Sequence, residues 1–181
     1  MNSLELFTGG GGLAYGLSKA GFHHSGFVEF DSYSCDSLRK NFPNKIVHQV
    51  DAREFAFEEI KGITLVAGGP PCQPFSNGGK HRAYDDSRDM FPTAIRAIEA
   101  LKPKAFLFEN VKGLLRPSFS EYFDFVIARL ESPDIGKKKS EDWWRHLLRL
   151  KKINSDKVLG PTYHVAYKLL NSANYGVPQI R

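Results

Sequence analysis

Short apolar runs that alternate with stretches of helical period limit this chain more than any other feature of its sequence. Residues 3–7, 26–30, 45–49, 63–67 and 104–108 are too short for helices, and each is followed within two residues by glycine or an acid. They read as buried strands. Between them, residues 13–20, 31–41 and 87–101 carry apolar positions at helical spacing. Gly21 closes the first, Asp31 is placed to cap the second, and Phe91, Ala94, Ile95, Ile98 and Leu101 line one face of the third. This alternation predicts an α/β fold built on a doubly wound, mostly parallel sheet with right-handed crossovers. Such sheets bind ligands outside the carboxyl ends of their strands. Phe7, Glu29, Asp51, Cys72 and Glu109 all fall along that edge and can meet in one site.

The first strand runs directly into Thr8-Gly9-Gly10-Gly11-Gly12 and then a helix. A glycine-rich turn of this kind lets a ligand approach the backbone and reach the helix's N-terminal N–H groups. Phosphate suits it, as does a carboxylate, and nicotinamide, flavin and S-adenosylmethionine sites all use it. Glu29 ends the second strand roughly twenty residues on, where a carboxylate can accept ribose hydroxyls. Asp51, at the end of the third strand, has two readings: an acceptor for an adenine amino group, or a cap for residues 52–55.

The fourth strand ends in Gly68-Gly69-Pro70-Pro71-Cys72-Gln73-Pro74-Phe75-Ser76. Prolines on both sides of Cys72 fix φ, so little entropy is lost in aiming the thiol at a reacting atom. A lone cysteine is ordinarily a small buried hydrophobe, but flanking glycine and proline argue against a core strand position. Cys35 lies within the second helix and reads as buried and inert. Residues 77–82, Asn-Gly-Gly-Lys-His-Arg, have the small and basic composition of a mobile loop that closes over a phosphate backbone.

With 181 residues, the chain is the size of one domain. Two cysteines are too few for a disulfide framework, and six scattered histidines lack zinc-site spacing, so no structural metal is expected. No run is long and apolar enough for a membrane span, and the N-terminus is no signal peptide, so a cytoplasmic or nucleoid-associated protein is expected. The net charge of +5 favours a polyanionic partner. Residues 119–130 form a further helix by period, and the composition then shifts, so residues 131–160 read as a basic insertion. Within it, residues 140–152 form a helix with acids in the first turn and bases in the last. That basic stripe beside Trp143 and Trp144 suits nucleic acid, or a solvated face with an aromatic anchor. Residues 163–170 read as a last strand.

The nonapeptide from Gly68 to Ser76 resembles the nucleophile loop of the cytosine C5 DNA methyltransferases. Phe7-Thr8-Gly9-Gly10-Gly11-Gly12-Leu13 is similar to that family's first S-adenosylmethionine (AdoMet) motif, Glu29-Phe30 to its ribose acid and aromatic neighbour, and Asp51-Ala52 to its adenine-side pair. Glu109-Asn110-Val111 resembles the motif whose acid binds cytosine N3, Ser87-Arg88 a further loop motif, and Gln179-Ile180-Arg181 the start of a Gln-x-Arg-x-Arg motif. The resemblance implies the AdoMet-dependent methyltransferase fold and DNA modification, in the setting of restriction-modification. It implies Cys72, Glu109 and Arg181 as catalytic residues. Cofactor contacts would come from Phe7, Thr8, Gly9, Gly11, Gly12, Leu13, Glu29, Phe30, Asp51, Ala52 and Pro71. DNA contacts would come from Gln73, Ser76, Lys80, Arg82 and Arg88. Family members continue with a second motif arginine, a final strand and a target-recognition domain, none of which follows Arg181 here. The expectation is therefore an incomplete catalytic part that works with a second subunit or missing C-terminal segment, leaving an exposed sheet edge.

The chemistry implied is methyl transfer to C5 of a flipped-out cytosine in duplex DNA. C5 of the neutral ring is a poor nucleophile, and a thiolate added at C6 makes it an enamine carbon. Alternatives remain: a Rossmann-type oxidoreductase, which leaves Cys72 and Glu109 without a role; a noncatalytic assembly or DNA-binding subunit; and a tRNA cytosine methyltransferase.

Overall fold

The computed structural model describes residues 1–71, 88–156 and 160–179. These form two compact units, residues 1–71 with 88–110, and residues 111–156 with 160–179.

The first unit is a five-stranded parallel sheet in the order β3-β2-β1-β4-β5. Its strands are β1 (Asn2–Leu6), β2 (His23–Glu29), β3 (Val47–Gln49), β4 (Leu65–Gly68) and β5 (Ala105–Phe108). Helices α1 (Gly12–Lys19), α2 (Ser32–Asn41) and α3 (Phe91–Leu101) connect them. Strand order reverses between β1 and β4, so the ligand crevice of this topology opens where β1 and β4 end side by side. The backbones are tightly apposed there. A Cβ at Gly68 would lie 2.2 Å from the Leu6 carbonyl oxygen, so no other residue fits.

Central strands of a parallel sheet are covered on both faces, and the two faces of β1 differ in kind. Leu4 and Leu6 join Val28, Val66, Phe55, Phe57 and Met90 in the main apolar core. Full burial of side chains of this size stabilises by about 1.5–3 kcal/mol each. Ser3 and Glu5, on the alternate positions of β1, are buried as well. Ser3 Oγ and Ser18 Oγ of α1 each lie 2.9 Å from a ring nitrogen of His24, and His24 Nε2 is 2.9 Å from the Ala14 carbonyl. Buried polar groups thus bind α1 to β1 and β2.

Most sequence-predicted boundaries move by a few residues for identifiable reasons. Asp31 caps α2, accepting the Ser34 N–H at 2.8 Å. The helix predicted from residue 87 begins instead at Phe91, because Asp89 accepts the Phe91 N–H and Pro92 occupies the first turn. The third helix ends at Lys102, which is left-handed at φ 45° and donates its N–H to Ile98. β5 is an edge strand among the described residues, with Leu107 46% exposed.

In the second unit α4 (Ser120–Glu131) packs on α5 (Trp143–Asn154) through Phe125, Ala128, Leu147 and Leu150, with Ile135 and Trp143 at the margin. The Asn154 amide donates to the Ala128 carbonyl and the Glu131 carboxylate. Arg129 Nη1 donates to the carbonyls of Ser132, Pro133 and Ile135, which closes the connection between the helices. Two expectations are corrected here. The acids predicted in the first turn of α5 precede it: Asp142 is its N-cap, and Glu141 lies outside and pairs with Arg149. Residues 163–170 form no strand. Tyr163 donates its N–H to the Glu131 carbonyl, and Tyr167, Leu169 and Leu170 are more than half exposed, so among the described residues the apolar pattern has no sheet neighbour to build a ladder on.

Candidate active site

Along the carboxyl edge of the sheet, β1 and β2 build the half with more side-chain hydrogen bonds among the described residues. Phe7 leaves β1 with φ 53° and donates its N–H to Val28 at 2.9 Å, turning the chain over the end of β2. Thr8 is buried, and its hydroxyl donates to the Glu5 carbonyl at 3.2 Å. Gly9 and Gly11 are left-handed, with φ 54° and 92°. A Cβ at Gly11 would also lie 2.9 Å from Phe42 Cε2 and 3.0 Å from Leu38 Cδ2. The glycine loop is therefore set by conformation and by close packing onto α2. Gly12 then opens α1, and Leu13 turns into the apolar cluster of Leu17, Leu65 and Ala67.

Glu29 is 8% exposed and already occupied. Its Oε2 accepts the Gly9 N–H at 2.8 Å, and its Oε1 accepts the N–H groups of Phe30 and Asp31, each at 2.9 Å. A carboxylate offers about four acceptor positions, so roughly one remains for a ligand hydroxyl. Beside it Phe30 is 73% exposed, an uncovered ring at the ligand edge.

Asp51 accepts the Arg53 N–H at 2.8 Å and its guanidinium, and this pairing holds the Asp51 carboxyl below the usual range. The local turn of its capping reading is formed, and its reading as an adenine acceptor stands as an expectation. Ala52 is buried in the main core. Arg96 of α3 fixes the turn by donating from Nη2 to the carbonyls of Ala52, Arg53 and Phe55, with its guanidinium over the Phe57 ring.

Among the described residues, the β4–β5 half makes fewer side-chain hydrogen bonds. Glu109 directly follows β5, donates its N–H to the Gly68 carbonyl at 3.0 Å, and is exposed. Its Oε2 lies 3.5 Å from where a Cβ on Gly69 would stand, so the carboxylate is on the open side of Gly69, three residues before Cys72 in the sequence. Asn110 Nδ2 donates to the Pro70 carbonyl at 2.8 Å, tying the two strand ends together. Pro71 is exposed and accepts the Met90 N–H, and Arg88 is exposed in the turn before α3. Cys72, Gln73, Ser76, Lys80, Arg82 and Arg181 lie outside the described residues.

Two polar groups near this edge escaped the sequence reading. Asn110 stands in the recognised Glu109-Asn110-Val111 motif, but its hold on Pro70 needs the strand pairing to be seen. Glu5 is 1% exposed beneath the start of α1, and its Oε2 has no partner among the described residues. Burial pushes its carboxyl up to about 8, opposed by the Ala14 backbone N–H. An acid between Leu4 and Leu6 in a central strand was the available signal.

The model of the C-5 cytosine-specific DNA methylase family matches residues 1–135. Over 179 residues the chain is 39% identical to the Type II methyltransferase M.NgoMIV of Neisseria gonorrhoeae, covering 99% of this chain and 48% of that protein. It is 35% identical over 181 residues to the Type II methyltransferase M.NaeI of Lentzea aerocolonigenes, covering 98% and 37%. The chain thus spans about half or less of the length of these relatives. Among solved structures, a DNMT2 variant from Spodoptera frugiperda superimposes with a TM-score of 0.55 at 24% identity, over 72% of this chain and 41% of that one, a likeness of fold.

Proposed function

Because this chain belongs to the C-5 cytosine-specific DNA methylase family, we propose that residues 1–181 carry the cofactor-binding and reactive part of a DNA cytosine C5 methyltransferase. The observation that carries this reading is the Glu109 carboxylate beside the open side of Gly69, three residues before Cys72 in the sequence. Beside it, the β1–β2 half of the same sheet edge offers a nucleotide site.

S-adenosylmethionine fits the residues there. Glu29 keeps an acceptor position for a ribose hydroxyl, Phe30 offers a free ring to the adenine, and the Gly9–Gly12 loop leads to the start of α1. When bound, it supplies a sulfonium-activated methyl group. Cys72, as the thiolate, adds to C6 of the flipped cytosine, and the ring electrons move toward C5 and N3. Glu109 shares its proton with N3 and so stabilises the charge that develops there. C5, made nucleophilic in this way, would accept the methyl group that S-adenosylmethionine would supply when bound, the sulfur keeping the bonding electrons. Loss of the C5 proton to a base and expulsion of the Cys72 thiolate restore the ring. Arg181, Arg88, Gln73, Ser76, Lys80 and Arg82 are proposed to orient the base and its phosphates. Target recognition is assigned to sequence beyond these residues, on the same or a second polypeptide.

The test is trapping on a duplex whose target cytosine is 5-fluorocytosine, with S-adenosylmethionine, because fluorine at C5 blocks the final elimination. The chain is mixed with the C-terminal half of a related Type II methyltransferase. A covalent adduct that needs both parts and disappears in Cys72→Ser is expected. An adduct that survives Cys72→Ser would overturn the assignment of the nucleophile, and its formation by the chain alone would overturn the need for further sequence.

A further inference from the structure

The cationic excess of this protein is concentrated in one place. Residues 136–152 hold seven Lys and Arg side chains against two acids, an excess of five that equals the net charge of all 181 residues. Elsewhere the charges balance. The segment also begins where the family match ends, at residue 135.

Its acids are largely engaged. Glu141 binds Arg149 through both carboxylate oxygens, at 2.8 and 2.6 Å, and accepts the Lys138 N–H, which together pull its carboxyl down to about 2. Asp142 caps α5 through the Arg145 N–H at 2.7 Å. Lys151 is paired with Asp124, whereas Lys138, Lys139 and Lys152 are exposed, and no ion pair forms at their ammonium groups among the described residues.

The helix supplies geometry as well as charge. His146, Leu147 and Leu150 are buried against α4 with Trp143 beside them. At helical period, Trp144, Arg145, Leu148 and Lys152 fall on the opposite face. Trp144 and Leu148 are 43% and 51% exposed there. The helix therefore presents one indole and one leucine amid cations, and the preceding turn is held to it by the Lys138 N–H on Glu141 and by Arg149 Nη2 on the Gly136 carbonyl.

We propose that this face of α5 and the Lys138–Lys139 turn form an interaction surface for the phosphate backbone of duplex DNA, independent of sequence. Charge complementarity selects the occupant, since a face with an excess of cations and engaged acids suits a polyanion. The inference rests on the reading of DNA as substrate, and it assigns non-specific affinity and orientation to this unit. The ammonium groups of Lys138, Lys139 and Lys152 contact phosphate oxygens, and Trp144 covers the sugar edge.

Duplex binding is measured on the full chain with a short mixed-sequence DNA across a range of salt concentrations. Each lysine that meets a phosphate adds about one to the salt slope of log affinity. Lys138→Ala/Lys139→Ala/Lys152→Ala should reduce the slope by about two to three and weaken binding by about tenfold or more at moderate salt. Lys40→Ala/Lys104→Ala, on exposed positions of the first unit, should leave both unchanged. Trp143 and Trp144 are the chain's only tryptophans. In a Trp143→Phe variant, added duplex should therefore shield the remaining emission from acrylamide. An unchanged slope in the triple variant, equal loss in the control, unshielded Trp144, or preference for double-stranded RNA would each overturn the proposal. S-adenosylmethionine binding and fluorocytosine trapping are scored separately. A chain that traps cytosine without lysine-dependent salt behaviour refutes the surface alone, and the converse refutes the methyltransferase reading alone.

Discussion

Glu29 and Glu109 have the same side chain at equivalent places, the carboxyl ends of two parallel strands, and the fold treats them in opposite ways. Glu29 is buried and holds three backbone N–H groups before any ligand arrives. Glu109 is exposed, and its carboxylate rests beside a glycine backbone. A group that must accept a fixed hydroxyl benefits from being set in advance, because little ordering remains when the ligand binds. An acid that must meet a flipped base needs room, and its working environment is completed by the base. On the proposed reading, the nucleotide-binding acid is thus part of the folded core's hydrogen bonding, while the carboxylate of the reactive acid stands exposed at the end of β5.

Substitution should split the two roles. Glu109→Ala should lower the rate of fluorocytosine trapping in the complemented mixture by about 10²–10⁴-fold, while stability changes by less than about 0.5 kcal/mol. A melting temperature that fell along with the rate would mean that Glu109 supports the fold, and the contrast would fail. Glu29→Ala should do the reverse first. It leaves the N–H groups of Gly9, Phe30 and Asp31 without their charged acceptor, so denaturant unfolding should show a loss of about 3–5 kcal/mol. S-adenosylmethionine binding followed by calorimetry should be lost with it. Retention of wild-type stability would show that the glycine loop holds itself and that the clamp is incidental.

Much of this arrangement was legible because its signals are local. The strand-to-glycine-to-helix passage at residues 3–20 and the acid closing β2 are set by period and by turn chemistry, and both appear within a residue or two of where they were read. What Glu29 binds was not legible. Its first partner, Gly9, is twenty residues away and meets it only because β1 and β2 pair in parallel. Residues 163–170 show the opposite failure. Their pattern suits a strand, but strand formation is a property of neighbours, and this stretch finds no ladder among the described residues. The basic segment was read correctly as basic. That its acids are spent on Arg149 and on capping α5, leaving lysines outward, depends on tertiary geometry.

Glu5 is a third carboxylate in the same unit, and it sharpens the contrast because it has neither the clamp of Glu29 nor the freedom of Glu109. Burial beneath α1 raises its folded pKa from the ordinary 4.5 to about 8, with only the Ala14 N–H in opposition. The folded state therefore keeps a proton that the unfolded chain releases above about pH 4.5. With the folded pKa raised, the stabilisation is fully present below the unfolded pKa and is lost as pH rises through the folded one. Unfolding free energy should fall across about pH 5 to 8 by up to about 1.4 kcal/mol per pH unit from this group. Glu5→Gln keeps the shape and a donor for the unpaired side but cannot ionise, so this fall is missing from its curve, while the rise with pH from His24, His48 and His146, whose folded pKa values burial lowers, is common to both proteins. The two curves should converge at the acid end and separate toward pH 8. If the two curves run parallel across that window, Glu5 finds enough solvation to ionise in place. A stable acid in that position would mean that the start of α1 tolerates a negative charge beneath it, and the glycine loop would then have to accept its ligand against that charge as well as beside Glu29.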